Sequence, residues 1–404
     1  MKRESWYYTQ DGNVFGPFTK DSLGQMANAG IITEKTLVAL EGNQNWQPFL
    51  AVRESPNQNH VAQTENHILS GFAGKVSQAS GLEKLEGFSI GALFSQVFKK
   101  HTPEEIEEHF IAGTAQTTPA LKDVSAEWPT PWAFVRLLGM SILASVGFYY
   151  ALERFSNPNL IPGWIFVGCF GIPFAVLVFF LEANILRNVS FYRTLTLMFL
   201  GGLISLIISL FLFEYTQLGS WLGAMSAGIV EEAGKLLAVI YFTRKWTKYG
   251  WTLNGLLFGA AVGTGFSAFE SAGYVFVALM NGIFTQSGGI ESETTMFMRA
   301  FLSPFTHTIW TAATAAALWR VKGDRKFEWG MLADFRFLRI FLIIAGLHMA
   351  WNSPLTIPVI GGLTGFLGFR LLLGIIGWII ILSLMQYGIK EVRAAKAAAD
   401  EPVD

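Results

Sequence analysis

From Pro131 onward the chain alternates long uncharged apolar runs with short polar connections. Runs of roughly 18–25 apolar residues have the length that crosses a bilayer as a helix. They predict about eight spans, at 132–152, 161–181, 194–213, 219–242, 253–280, 299–319, 337–354 and 370–388. The pattern before residue 131 is different. Over 1–50, the strand-like WYY and TLVAL flank a helical SLGQMANAG, and Asp-Gly, Gly-Pro and Glu-Gly supply turns, which predicts a small α+β domain. Residues 51–90, rich in Asn, Gln, Ser and Glu, read as a linker. The stretch 91–130 is amphipathic, with Thr102 capping a helix that opens on Pro103, Glu104 and Glu105. It is expected on the membrane surface or against the cytoplasmic face of the 131–390 membrane domain. A charged tail, 391–404, follows.

Composition agrees with an all-α polytopic membrane bundle carrying a small amino-terminal α+β domain. The 404 residues are 51% hydrophobic and 15% charged. A formal net charge of -1 gives no basic surface for nucleic acid. The single cysteine, Cys169, lies in an apolar run, which excludes an internal disulfide framework. No basic-then-apolar leader occupies the first 50 residues, so the amino terminus is expected in the cytoplasm. With that orientation the inner loops hold Arg187, Arg193, Arg244, Lys245, Lys248, Arg320, Lys322, Arg325, Lys326, Arg336 and Arg339, and the tail adds Lys390, Arg393 and Lys396. The outer loops hold only Arg154, with Arg299 and Arg370 at span edges. That asymmetry satisfies the positive-inside rule and puts both termini in the cytoplasm.

Charge inside the spans is scarce, and each instance costs several kcal/mol unless it serves something. The fourth span carries Glu231, Glu232 and Lys235; the fifth Glu270; the sixth His307; the seventh His348, with Asn352 one turn on. Glu231, His307 and His348 fall near the midpoints of their spans, and Glu270 about four residues outward, roughly 6 Å along the helix. Agreement in depth points to one shared polar site. Glu231 lines up with Lys235 at helical spacing. Gly255, Gly259 and Gly263 on the fifth span, with Ala224, Ala227, Gly228 and Gly234 on the fourth, predict a close approach of those two helices. Glu182 and Asn184, at a span's inner edge, are expected to be solvated.

Two chemistries fit such a set. A carboxylate can take a proton from water while imidazole and amide groups orient that water or stabilise an oxyanion. Alternatively, two His and one Glu can hold Zn²⁺ with an open position. Both lead to hydrolysis of an amide bond. A structural ion pair between packed helices is the plain alternative for Glu231, Glu232 and Lys235.

The motifs EEAGK (231–235), FSAFE (266–270), SPFTH (303–307) and HMAWN (348–352), in this order, resemble the PrsW family of intramembrane proteases, which is similar to the CAAX prenyl endopeptidases. The resemblance implies an endopeptidase of the bacterial cytoplasmic membrane acting on membrane-anchored proteins, anti-sigma factors among them. It implies that Glu231 and Glu232 activate water, assisted by Glu270, His307 and His348, with Asn352 on the oxyanion side. Glu270 stands where the prenyl-endopeptidase relatives carry His, which favours a metal site of Glu270, His307 and His348. The amino-terminal module resembles a GYF domain through Trp6, Tyr8, Gly16, Pro17, Phe18 and Trp46, although the GYF triplet itself is absent. That resemblance implies a proline-rich peptide ligand on an aromatic platform.

Two rivals stand beside the protease. A proton-coupled transporter or channel would use the same Glu and His groups as a relay and would show internal repeats and broken helices. A non-catalytic membrane scaffold would act through its GYF-like domain.

Overall fold

In the computed structural model the described residues are 5–10, 12–42, 45–52, 71–285, 290–357 and 362–400. They fall into two compact units, Met1–Phe72 and Ala73–Asp404.

The first unit is a four-stranded antiparallel sheet of β1 (Trp6–Gln10), β2 (Asn13–Phe18), β3 (Leu37–Leu40) and β4 (Gln47–Pro48), in the order β2-β1-β3-β4. Two helices join it, α1 (Lys20–Asn28) and α2 (Phe49–Val52). Thr19 caps α1, its hydroxyl accepting the Ser22 N–H. Strand alternation in WYYTQ sends Trp6 and Tyr8 into a core with Leu23, Ile32, Val38 and Phe49. Tyr7 faces the other way and lies over Gly16, where a Cβ would overlap its ring. Two of the six residues read as a peptide platform, Trp6 and Tyr8, are therefore core. Gly16 and Pro17 are exposed, and Phe18 and Trp46 half-buried.

The second unit is helical: α3 (residues 71–79), α4 (Ile90–Leu93), α5 (Pro103–Phe110), α6 (Ala133–Phe155), α7 (Ile161–Ala183), α8 (Phe191–Thr196), α9 (Gly202–Thr216), α10 (Leu218–Leu222), α11 (Ala227–Thr243), α12 (Thr252–Thr285), α13 (Ile290–Leu302), α14 (His307–Lys322), α15 (Phe335–Trp351) and α16 (Gly362–Asp400). A π-helical turn, Leu197–Gly201, joins α8 to α9. Among the described residues, five helices are long and apolar enough to cross a membrane: Ala133–Phe155, Pro158–Ala183, Phe191–Thr216, Thr252–Ile283 and Gly362–Ala399. The other three predicted spans are shorter. Helices α11, α14 and α15 have 17, 16 and 17 residues. At the helical rise that is about 25 Å, against a hydrocarbon core of about 30 Å.

The shortening has local causes. The predicted fourth span is broken at Gly223, whose φ of 55° only glycine adopts easily, and continues as a 3-10 turn, Gly223–Ser226, before α11. The predicted sixth span breaks at a 3-10 turn containing Pro304, so α13 and α14 are separate helices. In lipid, non-helical backbone persists only where protein covers it or where it lines a watery cavity.

Helix α14 is buried along almost its whole length, while α6 buries only Ala133. The glycine stripe of α12 packs on α14, not on α11 as the sequence suggested. A Cβ at Gly263 would run into the His307 carbonyl, and one at Gly255 would press on Trp319. On α11, Gly228 meets Met349 and Ala345 of α15, and Gly234 meets Ser209 of α9. The small residues thus bring three helices, α9, α12 and α15, against α11 and α14.

Two further features of the second unit differ from expectation. Part of the stretch read as linker is built structure: Ser77 is buried against Ser383 of α16 (2.8 Å), and Lys390 reaches Glu83 and Glu86. Glu182 is buried, not solvated. Its carboxylate accepts the N–H groups of Trp132, Ala133 and Phe134 at 2.8–2.9 Å, and His109 Nε2 lies 2.9 Å away. It thereby satisfies donors that the first turn of α6 cannot pair within the helix.

Candidate active site

The three shortened helices carry the three residues that converge. Glu231 is on the second turn of α11, His307 opens α14, and His348 is in the last turn of α15. One ligand atom from each lies within 4.8 Å of the others, all three residues being buried. Glu270 stands outside that group of three, which changes the metal set read from sequence. The interrupted helices also correct the reading of depth: Glu231 and His307 lie at the start of helices, not midway along continuous spans.

Each histidine is held from behind. His348 Nδ1 lies 2.9 Å from Glu232 Oε1, which also accepts from Lys235 Nζ at 2.6 Å. With Nδ1–H donating to that carboxylate, Nε2 is left as a bare acceptor, 3.7 Å from Glu231 Oε2. His307 Nε2 lies 3.1 Å from Glu270 Oε2, and its Nδ1 is 3.0 Å from Lys235 Nζ and 3.9 Å from Glu231 Oε2. Lys235 therefore serves Glu232 and His307, and not Glu231 as the helical spacing suggested. Its ammonium also lies 4.6 Å from the centre of the Phe266 ring, a cation–π contact.

Glu231 Oε2 is buried and has no hydrogen-bond partner among the described residues. Gaps of 3.7 and 3.9 Å to two imidazoles are too long for direct bonds and suit a bridging water or cation. A buried oxygen left bare, facing two imidazole nitrogens, is a donor set that fits Zn²⁺. Carboxylates behind both rings fix their tautomers, as ligating histidines require. A cation taken by His307 at Nδ1 would displace the Lys235 hydrogen bond.

These groups line a cavity of about 550 Å³. Glu231, Glu270, His307, His348 and Asn352 all reach it. Asn352 follows α15, and its backbone N–H donates to the His348 carbonyl at 3.1 Å. Glu232 is sealed off beneath. Phe213, Tyr274, Met298, Trp351 and Phe366 give the cavity apolar walls. One lining residue was missed in the sequence. Arg299, taken as an edge cation, turns inward to Glu270 and donates from Nε to Ser271 Oγ at 2.9 Å.

The family described as PrsW family intramembrane metalloprotease matches residues 162–385, more than half of the chain. The chain belongs to the PrsW family. Residues 6–54 match GYF domain 2, so the small sheet unit is a GYF domain. No curated relative and no solved structure matches the chain. For a PrsW-family protein, membership accounts for peptide-bond chemistry among membrane helices. The matched span contains every residue that lines the Glu231 cavity.

Proposed function

We propose that this PrsW-family chain is an endopeptidase that hydrolyses peptide bonds of membrane-anchored proteins with water activated at Glu231. The observation that carries the reading is the bare Glu231 oxygen between His307 and His348, at the foot of a polar cavity among apolar helices. Glu231 accepts the proton of the attacking water. His348, with Nδ1 held by Glu232, offers Nε2 toward that water, and His307, held by Glu270, closes the other side. Asn352 on the cavity wall is the donor for the oxyanion. Glu231, His307 and His348 are the residues that would hold Zn²⁺. When bound, the ion polarises the scissile carbonyl and lowers the pKa of water.

The cavity is lined by the end of α9 and the starts of α11 and α16, and by the middle of α12 from Ser267 to Tyr274. The positive-inside asymmetry puts those ends on the outer side, which supports cleavage in the outer half of the bilayer. Membrane-anchored proteins cut at that depth are the substrates proposed, with anti-sigma factors as one candidate class that the family resemblance suggests. For the GYF domain, a proline-rich segment of a partner is the ligand proposed, resting on the exposed Gly16 and Pro17 next to Phe18 on β2.

Broken helices around a polar cavity also suit a transporter, so the test must separate the two. Purified protein is co-reconstituted with a single-span reporter protein, and cleavage is followed for wild type, Glu231→Gln and His348→Ala. Cleavage by wild type alone is the expected result. Equal cleavage by all three would refute the site. Proton flux in the same liposomes without cleavage would establish the relay instead.

A further inference from the structure

We infer that Arg299 is a positioning residue for the hydrolytic site: it holds Glu270 so that Glu270 fixes the His307 ring. The inference rests on the Glu231 site proposed above. An arginine at the outer edge of a membrane helix ordinarily extends its head toward water. Arg299 does the reverse. From α13 it grips a single turn of α12, pairing with Glu270, donating to Ser271 Oγ at 2.9 Å and standing 4.3 Å over the centre of the Tyr274 ring. The Glu270 oxygen that takes the guanidinium is also the one 3.1 Å from His307 Nε2. The chain of contacts runs Arg299, Glu270, His307, and ends on the imidazole that faces Glu231.

A second arrangement in the same site has the same logic. Lys235 holds Glu232, and Glu232 holds His348. Each flanking histidine thus has a carboxylate behind it, and each carboxylate has its own cation. Without Arg299, Glu270 would keep His307 Nε2 as its one described partner and lose the cation that fixes the carboxylate from behind. A residue that only stapled α13 to α12 would have no need to line the cavity together with Glu270 and His307, as Arg299 does.

The test is a double-mutant cycle on the full-length protein in liposomes, using a single-span reporter that wild type cleaves. Arg299→Gln is expected to lower kcat by about 10- to 100-fold. KM should stay within about two-fold of wild type, because the apolar walls of the cavity, Phe213, Tyr274, Met298, Trp351 and Phe366, are unchanged. Arg299→Lys, which restores a cation to Glu270, should recover most of the loss. Adding Arg299→Gln to Glu270→Gln should cost little more than Glu270→Gln alone, since both break the same chain. Full additivity of the two losses would overturn the inference, as would an unchanged kcat for Arg299→Gln. If Arg299→Gln loses its melting transition, Arg299→Met, which keeps an apolar stem without the cation, replaces it in the cycle under the same criterion. Glu231→Gln is run beside them: if that variant cleaves normally, the site reading itself has failed, whereas an inactive Glu231→Gln with a fully active Arg299→Gln removes Arg299 alone.

Discussion

The two histidines beside Glu231 are supported by arms of similar chemistry and different construction. In the first, Lys235, Glu232 and His348 have side-chain exposures of 0%, 0% and 2%, and the cation and carboxylate are three residues apart on one helix. In the second, Arg299, Glu270 and His307 have exposures of 27%, 15% and 9%, and come from α13, α12 and α14. Burial makes the first arm a structural commitment: removing Lys235 or Glu232 leaves the other's charge stranded in a dry interior. The second arm faces the cavity, where water can solvate a group that loses its partner. The same three-part device therefore holds the fold together on one side of Glu231 and sets geometry on the other.

The comparison can be broken most directly through Glu232. Glu232→Ala strands the buried Lys235 ammonium and is expected to destabilise the protein by about 3–5 kcal/mol, read as a large drop in thermal melting together with lost cleavage. An unshifted melt would show that the first arm is no more structural than the second. Next in size is metal removal. Chelation should abolish cleavage, and Zn²⁺ should restore it, with little change in the melt of the apo protein, whose Lys235 keeps His307 Nδ1 engaged; chelator-insensitive cleavage would assign the water to Glu231 alone. Gly263→Ala sharpens the second arm. Its methyl group would push the His307 carbonyl, and overpacking of that kind costs about 1–3 kcal/mol, so a modest melting shift should accompany a larger loss of rate. The smallest effect is expected at the foot of α15, which carries His348. Asp334 caps that helix, accepting the Arg336 N–H at 2.8 Å, and Asp334→Ala should cost about 1 kcal/mol. Hydrogen bonds from the Arg336 side chain pull the Asp334 carboxyl down to about 2. The stabilisation is thus complete above the ordinary carboxylate range and fades only as pH falls through about 2, which melting at several pH values will check.

The Lys235–Glu232 half of the first arm was legible in the sequence because helical spacing alone brings those two residues together, whereas His348 joins from α15. EEAGK announces two carboxylates and a cation within about one turn. Even there the spacing paired Lys235 with Glu231, while the rotamers pair it with Glu232. The second arm was half legible. Glu270 and His307 stood out as charges in apolar runs, whereas Arg299 did not, because a window average blends α13 and α14 into one span. The signals that separate them are local: Ser303 and Pro304 at the break, and Glu291 and Glu293 opening α13. Gly223 is the equivalent mark before α11. Glu182 could not be read at all, since its partners are backbone N–H groups some fifty residues earlier.

That last contact has a mechanical consequence. Helix α6 buries almost nothing along its length, yet its amino-terminal turn is fastened by three hydrogen bonds to the far end of α7, which is itself well buried. A force applied to the chain ahead of α6 is carried through Glu182 into the bundle. Extraction of single molecules from the amino-terminal side should then release α6 and α7 in one step, and Glu182→Ala should divide that step into two.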